Sequence, residues 1–186
     1  DHVMKAEILL HGSFATTGIG HGTDKALIAG LLGMRPDDIR IPASFDLAQK
    51  AGMEFTFSTV TLKDAHPNTA VLRLTGEHGR KIEVQAASIG GGRILIAKLD
   101  GIEVNFSAEK PTLIVHNVDQ PGHVAQVTSM LAEKQVNIAT LQLYRDKRGG
   151  YAVMVIETDQ EVPEESVAWL EQLDGIIKVT YINVEE

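Results

Sequence analysis

The fold of the C-terminal half is decided by one stretch, Val115-His116-Asn117-Val118-Asp119-Gln120-Pro121-Gly122-His123-Val124. It closes an apolar strand pattern that begins at Thr112, and it opens a helical pattern that extends to Lys134. Beyond it, the patterns predict two strands, a second helix and a last strand, at 137–145, 151–158, 163–173 and 176–184. The order is βαββαβ, which predicts a split βαβ sandwich of about 75 residues.

Toward the N-terminus, strand patterns alternate with glycine-rich loops. Strands are predicted at 4–10, 55–62, 70–75, 81–88, 94–99 and 103–106. A loop at 14–22 precedes a helix at 24–33, which Thr23 or Asp24 would cap. The segment 35–52 carries two prolines and is predicted to be irregular or briefly helical. The segment 107–111 is polar and ends in proline, so we place a domain boundary there. We therefore predict an α+β chain with a mixed α/β domain at 1–108 and the sandwich at 109–186.

Composition narrows the classes of function. The chain has 186 residues, 44% of them hydrophobic, and a net charge of −8. An acidic chain has no electrostatic reason to bind nucleic acid or an anionic membrane, so neither is expected as a partner. Cysteine is absent, which excludes disulfides, thiolate nucleophiles and thiolate metal sites on this chain and fits a cytoplasmic protein. The spacing of the seven histidines suggests no metal site either.

The turn between the first strand and helix of the sandwich resembles the signature of ACT domains, which are ligand-sensing modules that pair side by side. Asp119, Pro121 and Gly122 match the family's Asp-x-Pro-Gly turn. The resemblance covers 112–184 and implies an amino-acid effector site and a homodimer. The expected effector-binding residues are Asn117, Asp119, Pro121, Gly122, His123, Asn137 and Ile138.

The chemistry of this turn permits two interpretations. The first N–H groups of the helix lack internal partners and suit a carboxylate, while Asp119 and Asn117 would meet an ammonium group. Alternatively, Asp119 only caps the helix, and the module only dimerises.

Three motifs of the N-terminal half resemble those of iron–sulfur L-serine dehydratases, and they occur in that family's order. The first runs from His11 to Asp24 and reads HGSFATTGIGHGTD; the others are His66-Pro67-Asn68 and Ser88-Ile89-Gly90-Gly91-Gly92. With an ACT domain following, the arrangement resembles the β chain of the two-subunit form. The N-terminal domain would then resemble an allosteric substrate-binding domain of some phosphoglycerate dehydrogenases.

This resemblance implies a lyase that converts L-serine to pyruvate and ammonia in the cytoplasm, within the amino-acid metabolism that feeds gluconeogenesis. A 4Fe-4S cluster would be held by the α subunit, which is the expected partner, and not by this chain. His21 and Ser88 are the expected catalytic residues. The expected substrate-binding residues are Ser13, Thr17, Gly18, His66, Asn68, Gly90 and Gly91.

Physical chemistry is compatible with these roles. Deamination of serine needs a base for the α-proton and a Lewis acid for the hydroxyl, and a histidine suits proton transfer near neutral pH. Successive glycines after Ser88 can present N–H groups to a carboxylate, although they can also form only a sharp turn. The family's Gly-Pro-Ser-Ser-Ser-His-Thr motif, expected ahead of Gly12, does not occur in this sequence.

Two other classes of protein remain open. One is a regulatory serine- or anion-binding module related to phosphoglycerate dehydrogenase. The other is an assembly protein whose ACT half only dimerises.

Overall fold

The structure is a computed structural model that describes residues 2–107 and 109–183. It divides into two compact units, 1–101 and 102–186. The division falls between Gly101 and Ile102, ahead of the predicted boundary at 108/109, and residue 108 lies outside the described residues. The predicted domain boundaries therefore stay a prediction.

The first unit is a mixed sheet with helices on one face. Its elements, in chain order, are β1 (Val3–Gly12), α1 (Ser13–Thr17), α2 (Thr23–Leu31), α3 (Ser44–Lys50), β2 (Glu54–Thr59), β3 (Asn68–Gly76), β4 (Lys81–Gly90) and β5 (Arg93–Leu99). The strand order within this unit is β2-β1-β3-β4-β5. Only β1 and β2 are parallel, and the three helices form the crossover between them.

Alternation along the strands places the core of this unit. Ala6, Ile8 and Leu10 are buried on one face of β1 and cluster with Ile28 of α2 and Ala48 of α3. Charged residues occupy the other face, where Arg73 pairs with Glu7 and Glu83 of the neighbouring strands. The helices therefore cover one face of the sheet, as a period of two residues requires.

Two predictions for this unit need correction, and a third is confirmed. The predicted loop at 14–22 begins with a helical turn, α1, because Phe14 and Ala15 pack into the core. The helix expected at 24–33 starts at Thr23, with Gly22 at its N-cap and no side-chain cap there; Asp24 only accepts the N–H of Lys25, at 2.8 Å. The segment 35–52 is briefly helical as predicted, since it contains a 3₁₀ turn at Ile41–Ala43 and then α3.

The second unit contains the predicted sandwich. Its elements are β6 (Ile102–Phe106), β7 (Thr112–Val118), α4 (His123–Glu133), β8 (Ile138–Arg145), β9 (Tyr151–Thr158), α5 (Glu164–Leu170) and β10 (Ile176–Ile182). Four of its strands form an antiparallel sheet in the order β10-β7-β9-β8. This order confirms the ferredoxin-like βαββαβ fold. The second helix is shorter than predicted and has Pro163 at its N-cap; Val184, the predicted end of the last strand, lies outside the described residues.

One apolar layer holds this sandwich together. Leu113 and Val115 of β7 and Met154 and Ile156 of β9 are buried against the two helices, together with Val127, Leu131 and Leu170. Each of these side chains is fully buried, and burying one contributes roughly 1.5–3 kcal/mol to the free energy of unfolding. The sheet and helices thus fix the turn between β7 and α4, where the ACT-like signature lies.

Candidate functional site

Two of the three N-terminal motifs are bound to each other at one end of the first sheet. The N–H of Ser13 donates to the carbonyl oxygen of Pro67 at 2.8 Å, and Gly12 stands opposite Asn68 in the register of β1 and β3. Gly12 has φ +57°, and a Cβ there would lie 2.5 Å from the Pro67 oxygen. Only glycine permits this approach, so its position in the motif has a direct steric cause.

The third motif reaches the same end of the sheet through β4. Thr69 of β3 pairs with Ala87 of β4, and Asn68 and Ser88 are the chain neighbours of this pair. The alternation of the strands puts Asn68 and Ser88 on the face of Leu10 and Ala70, which is the face that the helices cover. We call the group formed by Ser13, His66, Asn68 and Ser88 the strand-end cluster.

The helix α1 carries the rest of the first motif away from this cluster. It packs against β1 and β3 through Phe14 and Ala15 and leaves Ser13, Thr16 and Thr17 exposed. Gly18 is buried at its end, where a Cβ would collide with the carbonyl oxygen of Phe14. The close approach to Phe14 explains the glycine at this position, and a role of Gly18 in substrate binding stays a prediction.

His21 is exposed in the turn that follows α1. Its N–H donates to the carbonyl oxygens of Thr17, at 3.3 Å, and Gly18, at 3.2 Å. The turn closes with the N–H of Thr23 on the Gly18 oxygen at 2.9 Å. The backbone of His21 is therefore held in place while its imidazole remains at the surface.

The loop with His66 is organised by its own hydrogen bonds. Nδ1 of His66 accepts the N–H of Asn68 at 3.1 Å, and the hydroxyl of Thr69 donates to the carbonyl oxygen of His66 at 2.6 Å. Thr69 is buried, whereas His66 is exposed. The loop presents the outer edge of the His66 ring from a fixed backbone.

The glycine run after Ser88 forms a tight hairpin turn. Gly90, Gly91 and Gly92 have φ of +90°, +65° and +75°, and Gly90 pairs with Arg93 across β4 and β5. Two central residues with positive φ are what a type I′ turn requires. A hairpin turn therefore explains the backbone conformation of these glycines. A role of Gly90 and Gly91 in substrate binding stays a prediction.

The ACT-like turn of the second unit has a different character, because its polar side chains are buried. Asn117 is 2% exposed and His123 is 7% exposed. The Asn117 amide donates to the carbonyl oxygen of Val118 at 2.7 Å, but its own Oδ1 lacks a hydrogen-bond partner among the described residues, as does Nε2 of His123. A buried polar atom without a partner costs free energy, so these two atoms are where a ligand group would be stabilising.

Asp119 does not cap the helix. Its Oδ2 accepts the N–H of Gly149 at 2.9 Å and a guanidinium N–H of Arg145 at 3.1 Å, while Gly122, with φ +107°, is the N-cap of α4. The Gly149 N–H and then Arg145 lower the pKa of the Asp119 carboxyl below its ordinary value. The carboxylate therefore secures the turn between β8 and β9.

The other predicted effector residues fall into two places. Pro121 and Gly122 are exposed at the start of α4, beside His123. Asn137 and Ile138 lie at the opposite end of the sheet, where Ile138 pairs with Thr158 and the Asn137 amide donates to Asp159 at 2.7 Å. Within one chain, these two do not join the turn that holds Asn117.

Two residues at these sites were missing from the sequence-based set. His11 accepts the N–H of Leu62 on Nδ1 at 3.2 Å, which ties β1 to the segment before the His66 loop. Gly175 has φ +80° and faces the His123 ring, which a Cβ would approach to 2.6 Å. The first directly precedes the Gly-Ser motif, which is a signal in the sequence; the second carries no local signal at all.

Neither a metal site nor a membrane span emerges from the described part of the chain. In residues 2–107 and 109–183, no three histidine or acidic side chains are grouped so that they could hold a metal ion. No helix in these ranges combines the length and apolar character needed to cross a membrane. An iron–sulfur cluster needs thiolate ligands, which a chain without cysteine does not supply.

Fold and sites together define a two-unit α+β protein whose second unit has the topology of an ACT domain. Family models agree with this division: the serine dehydratase beta chain model matches residues 1–54, and the ACT domain model matches 111–175. The L-serine dehydratase, beta chain, of Peptoniphilus asaccharolyticus is 35% identical over 181 residues, which are 97% of this chain and 82% of that protein. The chain therefore belongs to the family of L-serine dehydratase β chains.

Two further relatives bear on this assignment. The probable L-serine dehydratase, beta chain, of Bacillus subtilis is 37% identical over 175 residues, which are 94% of this chain and 79% of that protein. The D-3-phosphoglycerate dehydrogenase of Methanocaldococcus jannaschii is 31% identical over 113 residues, which are 61% of this chain but 22% of that protein. This chain thus matches most of a dehydratase β chain and a small part of a dehydrogenase.

Proposed function

We propose that this chain is the β subunit of an L-serine dehydratase that converts L-serine to pyruvate and ammonia together with an α subunit. The observation that carries the proposal is the strand-end cluster, where the register of β1, β3 and β4 gathers residues from three separate motifs. The high coverage of the dehydratase β chains supports it. Its location in the cytoplasm is part of the same proposal.

The cluster suits a shared active site. Ser13 and His66 of the cluster are exposed on a backbone that is fixed by hydrogen bonds, and His21 is exposed in the turn that follows α1. An open surface of this kind leaves water in contact with its polar groups, whereas elimination chemistry gains from exclusion of water. A second protein surface is therefore needed to close the site, and that surface is assigned to the α subunit.

The reaction divides between the two subunits. A base removes the α-proton of serine, the bond from Cβ to the hydroxyl oxygen breaks, and the hydroxyl takes up a proton and leaves as water. The resulting enamine tautomerises to an imine, which water hydrolyses to pyruvate and ammonia. A 4Fe-4S cluster, which α-subunit cysteines would hold, would supply the Lewis acid for the hydroxyl. On this chain His21 and Ser88 act at the reacting atoms, and Ser13, Thr17, Gly18, His66, Asn68, Gly90 and Gly91 bind the substrate.

The ACT unit binds an amino-acid effector at the turn between β7 and α4. The ammonium group donates to Oδ1 of Asn117, and the carboxylate accepts from the free N–H groups at the start of α4. Because Asn137 and Ile138 lie at the other end of the sheet, they contribute from a second copy in a homodimer. This division explains why one chain does not assemble the whole predicted set.

The relation to phosphoglycerate dehydrogenase points to a shared regulatory module and not to dehydrogenase activity. The match covers 22% of the dehydrogenase from Methanocaldococcus jannaschii. A binding module without catalysis would not need the strand-end cluster, which is why the dehydratase assignment is preferred.

Reconstitution tests the proposal directly. Pyruvate formation from L-serine is measured anaerobically with this chain alone, with the α subunit alone, and with both together. Turnover in the mixture alone is the expected result. Equal turnover of the α subunit with and without this chain would contradict the proposal.

A further inference from the structure

His11 occupies a position that the proposed reaction does not use directly. It is half-buried at the penultimate position of β1, beside Gly12 and Ser13. Its Nδ1 lies 3.2 Å from the N–H nitrogen of Leu62 and 3.3 Å from the carbonyl oxygen of Val60. One ring nitrogen thus contacts the chain at two points just after β2 ends.

This contact fixes the entry to the loop that carries His66. Beside the ring, the N–H of Val60 donates to the carbonyl oxygen of Leu10 at 2.9 Å, which extends the β1–β2 pairing by one rung. The exit of the loop is fixed by the bond from Ser13 to Pro67 and by the buried hydroxyl of Thr69. The loop of residues 63–67 therefore has an anchor at each end, and His11 is the side chain at the first.

The protonation state of the ring follows from what each neighbour needs. A backbone N–H without a hydrogen-bond acceptor is rare inside a protein. A carbonyl oxygen without a donor is somewhat more common. Nδ1 must therefore accept from Leu62, which requires the neutral tautomer with its proton on Nε2. In that state the contact with the Val60 oxygen contributes no hydrogen bond.

We propose that neutral His11 is a positioning residue, whose Nδ1 holds the His66-Pro67-Asn68 loop against the strand end that carries Ser13. The role in turnover rests on the proposed dehydratase function; the anchoring itself does not. His11 sets where His66 and Asn68 stand when serine binds. Loss of the acceptor frees residues 60–67 while the remainder of the sheet stays paired.

Two substitutions distinguish the effect of losing the hydrogen-bond acceptor from the effect of losing the ring. His11→Asn places a side-chain oxygen where Nδ1 lies and keeps an acceptor, whereas His11→Phe keeps the ring and removes the acceptor. His78→Ala, in the turn at the other end of β3, is the control. Amide hydrogen exchange at Leu62 and Asn68 is measured in the full chain for all variants and for the wild type.

The expected result is exchange at Leu62 that is about tenfold faster, or more, in His11→Phe, because the partly buried N–H of Leu62 loses its acceptor. His11→Asn and His78→Ala should stay within about threefold of the wild type. Equal exchange in His11→Phe and His11→Asn would overturn the proposal. If His11→Phe does not fold, the nitrogen NMR shifts of the wild-type ring decide: an unprotonated Nδ1 supports the anchor, and a protonated Nδ1 overturns it.

Kinetics of the reconstituted enzyme test the consequence for turnover. His11→Phe should raise KM for serine more than it lowers kcat, because the loop binds substrate, and His11→Asn should restore KM. A wild-type mixture without activity would defeat the dehydratase proposal, yet the exchange measurement would still decide whether His11 anchors the loop. The two failures are thereby distinguished.

Discussion

The two turns that lead from a strand into a helix each have a glycine with positive φ, but the surroundings of the two glycines are opposite. Gly12 precedes α1 with φ +57°, and Gly122 precedes α4 with φ +107°. At Gly12 the carbonyl oxygen of Pro67 fills the space where a Cβ would lie, while at Gly122 nothing lies within 4 Å of that position. The first turn is locked against a neighbouring loop; the second is open at the backbone.

The polar side chains around these turns differ in their exposure to solvent, and the difference runs opposite to that of the backbones. Around the first, Ser13 and His66 are exposed. Around the second, Asn117 and His123 are buried, and each has an atom without a partner in the described chain. A locked backbone with exposed groups suits a site that another subunit completes, and an open backbone with buried, unsatisfied groups suits a small ligand.

The largest expected effect comes from substituting the two glycines in parallel. Gly12→Ala combines a positive φ with a clash against backbone, so we expect a loss of about 3 kcal/mol or more of unfolding free energy. Gly122→Ala meets only the backbone penalty, and we expect about 1–2 kcal/mol. Urea unfolding followed by circular dichroism measures both.

Equal losses of unfolding free energy in the two glycine variants would contradict the difference between the two turns. If the two variants lose the same stability, the Pro67 contact adds nothing to the strain at Gly12. Trp169, the single tryptophan of the chain, reports the second unit by fluorescence, so unfolding of that unit can be followed separately.

Removal of the exposed imidazole tests the first turn as a catalytic surface. His21→Ala should leave the unfolding free energy within about 0.5 kcal/mol, because the side chain is exposed. Turnover of the reconstituted enzyme should fall by about 10²–10⁴-fold, the usual effect of losing a general acid or base. His78→Ala is the control, and near-normal turnover of His21→Ala would remove this residue from the mechanism.

The second turn should separate stability from ligand binding. Asn117→Leu removes a buried oxygen that has no partner among the described residues, together with one amide hydrogen bond to Val118, so the unfolding free energy should change by less than about 1.5 kcal/mol. The increase in melting temperature caused by an amino-acid effector should disappear. The measurement is thermal unfolding with and without each amino acid; an unchanged response in the variant would exclude Asn117 as a ligand.

The smallest expected effect concerns acid stability at Asp119. Its pKa is lowered in the folded state, first by the Gly149 N–H and then by Arg145. The carboxylate therefore stabilises the second unit above the ordinary value of 3.8, and the contribution disappears as pH falls from there through the lowered folded pKa.

Asp119→Asn should accordingly narrow the difference in melting temperature between pH 7 and pH 3. Asp119→Ala should also blunt the response to an effector while it spares dimerisation. A pH dependence identical to that of the wild type would show that the turn between β8 and β9 does not depend on this charge.

Sequence alone determined the strand and helix periods, and through them the order βαββαβ and most strands of the first unit. It also identified the three motifs and the ACT-like turn, because glycine, proline and polar residues at fixed spacing carry local information. It mispredicted the segment at 14–22, where burial of Phe14 and Ala15 stabilises a helical turn in a stretch that is rich in breakers. Local propensity does not contain that burial.

Tertiary structure decided what the motifs do to each other. Only the sheet register brings Gly12 against Pro67 and pairs Thr69 with Ala87, the neighbours of Asn68 and Ser88, because those contacts join residues far apart in sequence. Only the packed sandwich shows that Asp119 holds Gly149 instead of capping α4, and that Asn137 lies at the far end of the sheet from Asn117. Spacing along a chain fixes which groups are available, but hydrogen-bond partners and burial depend on distances that folding alone sets.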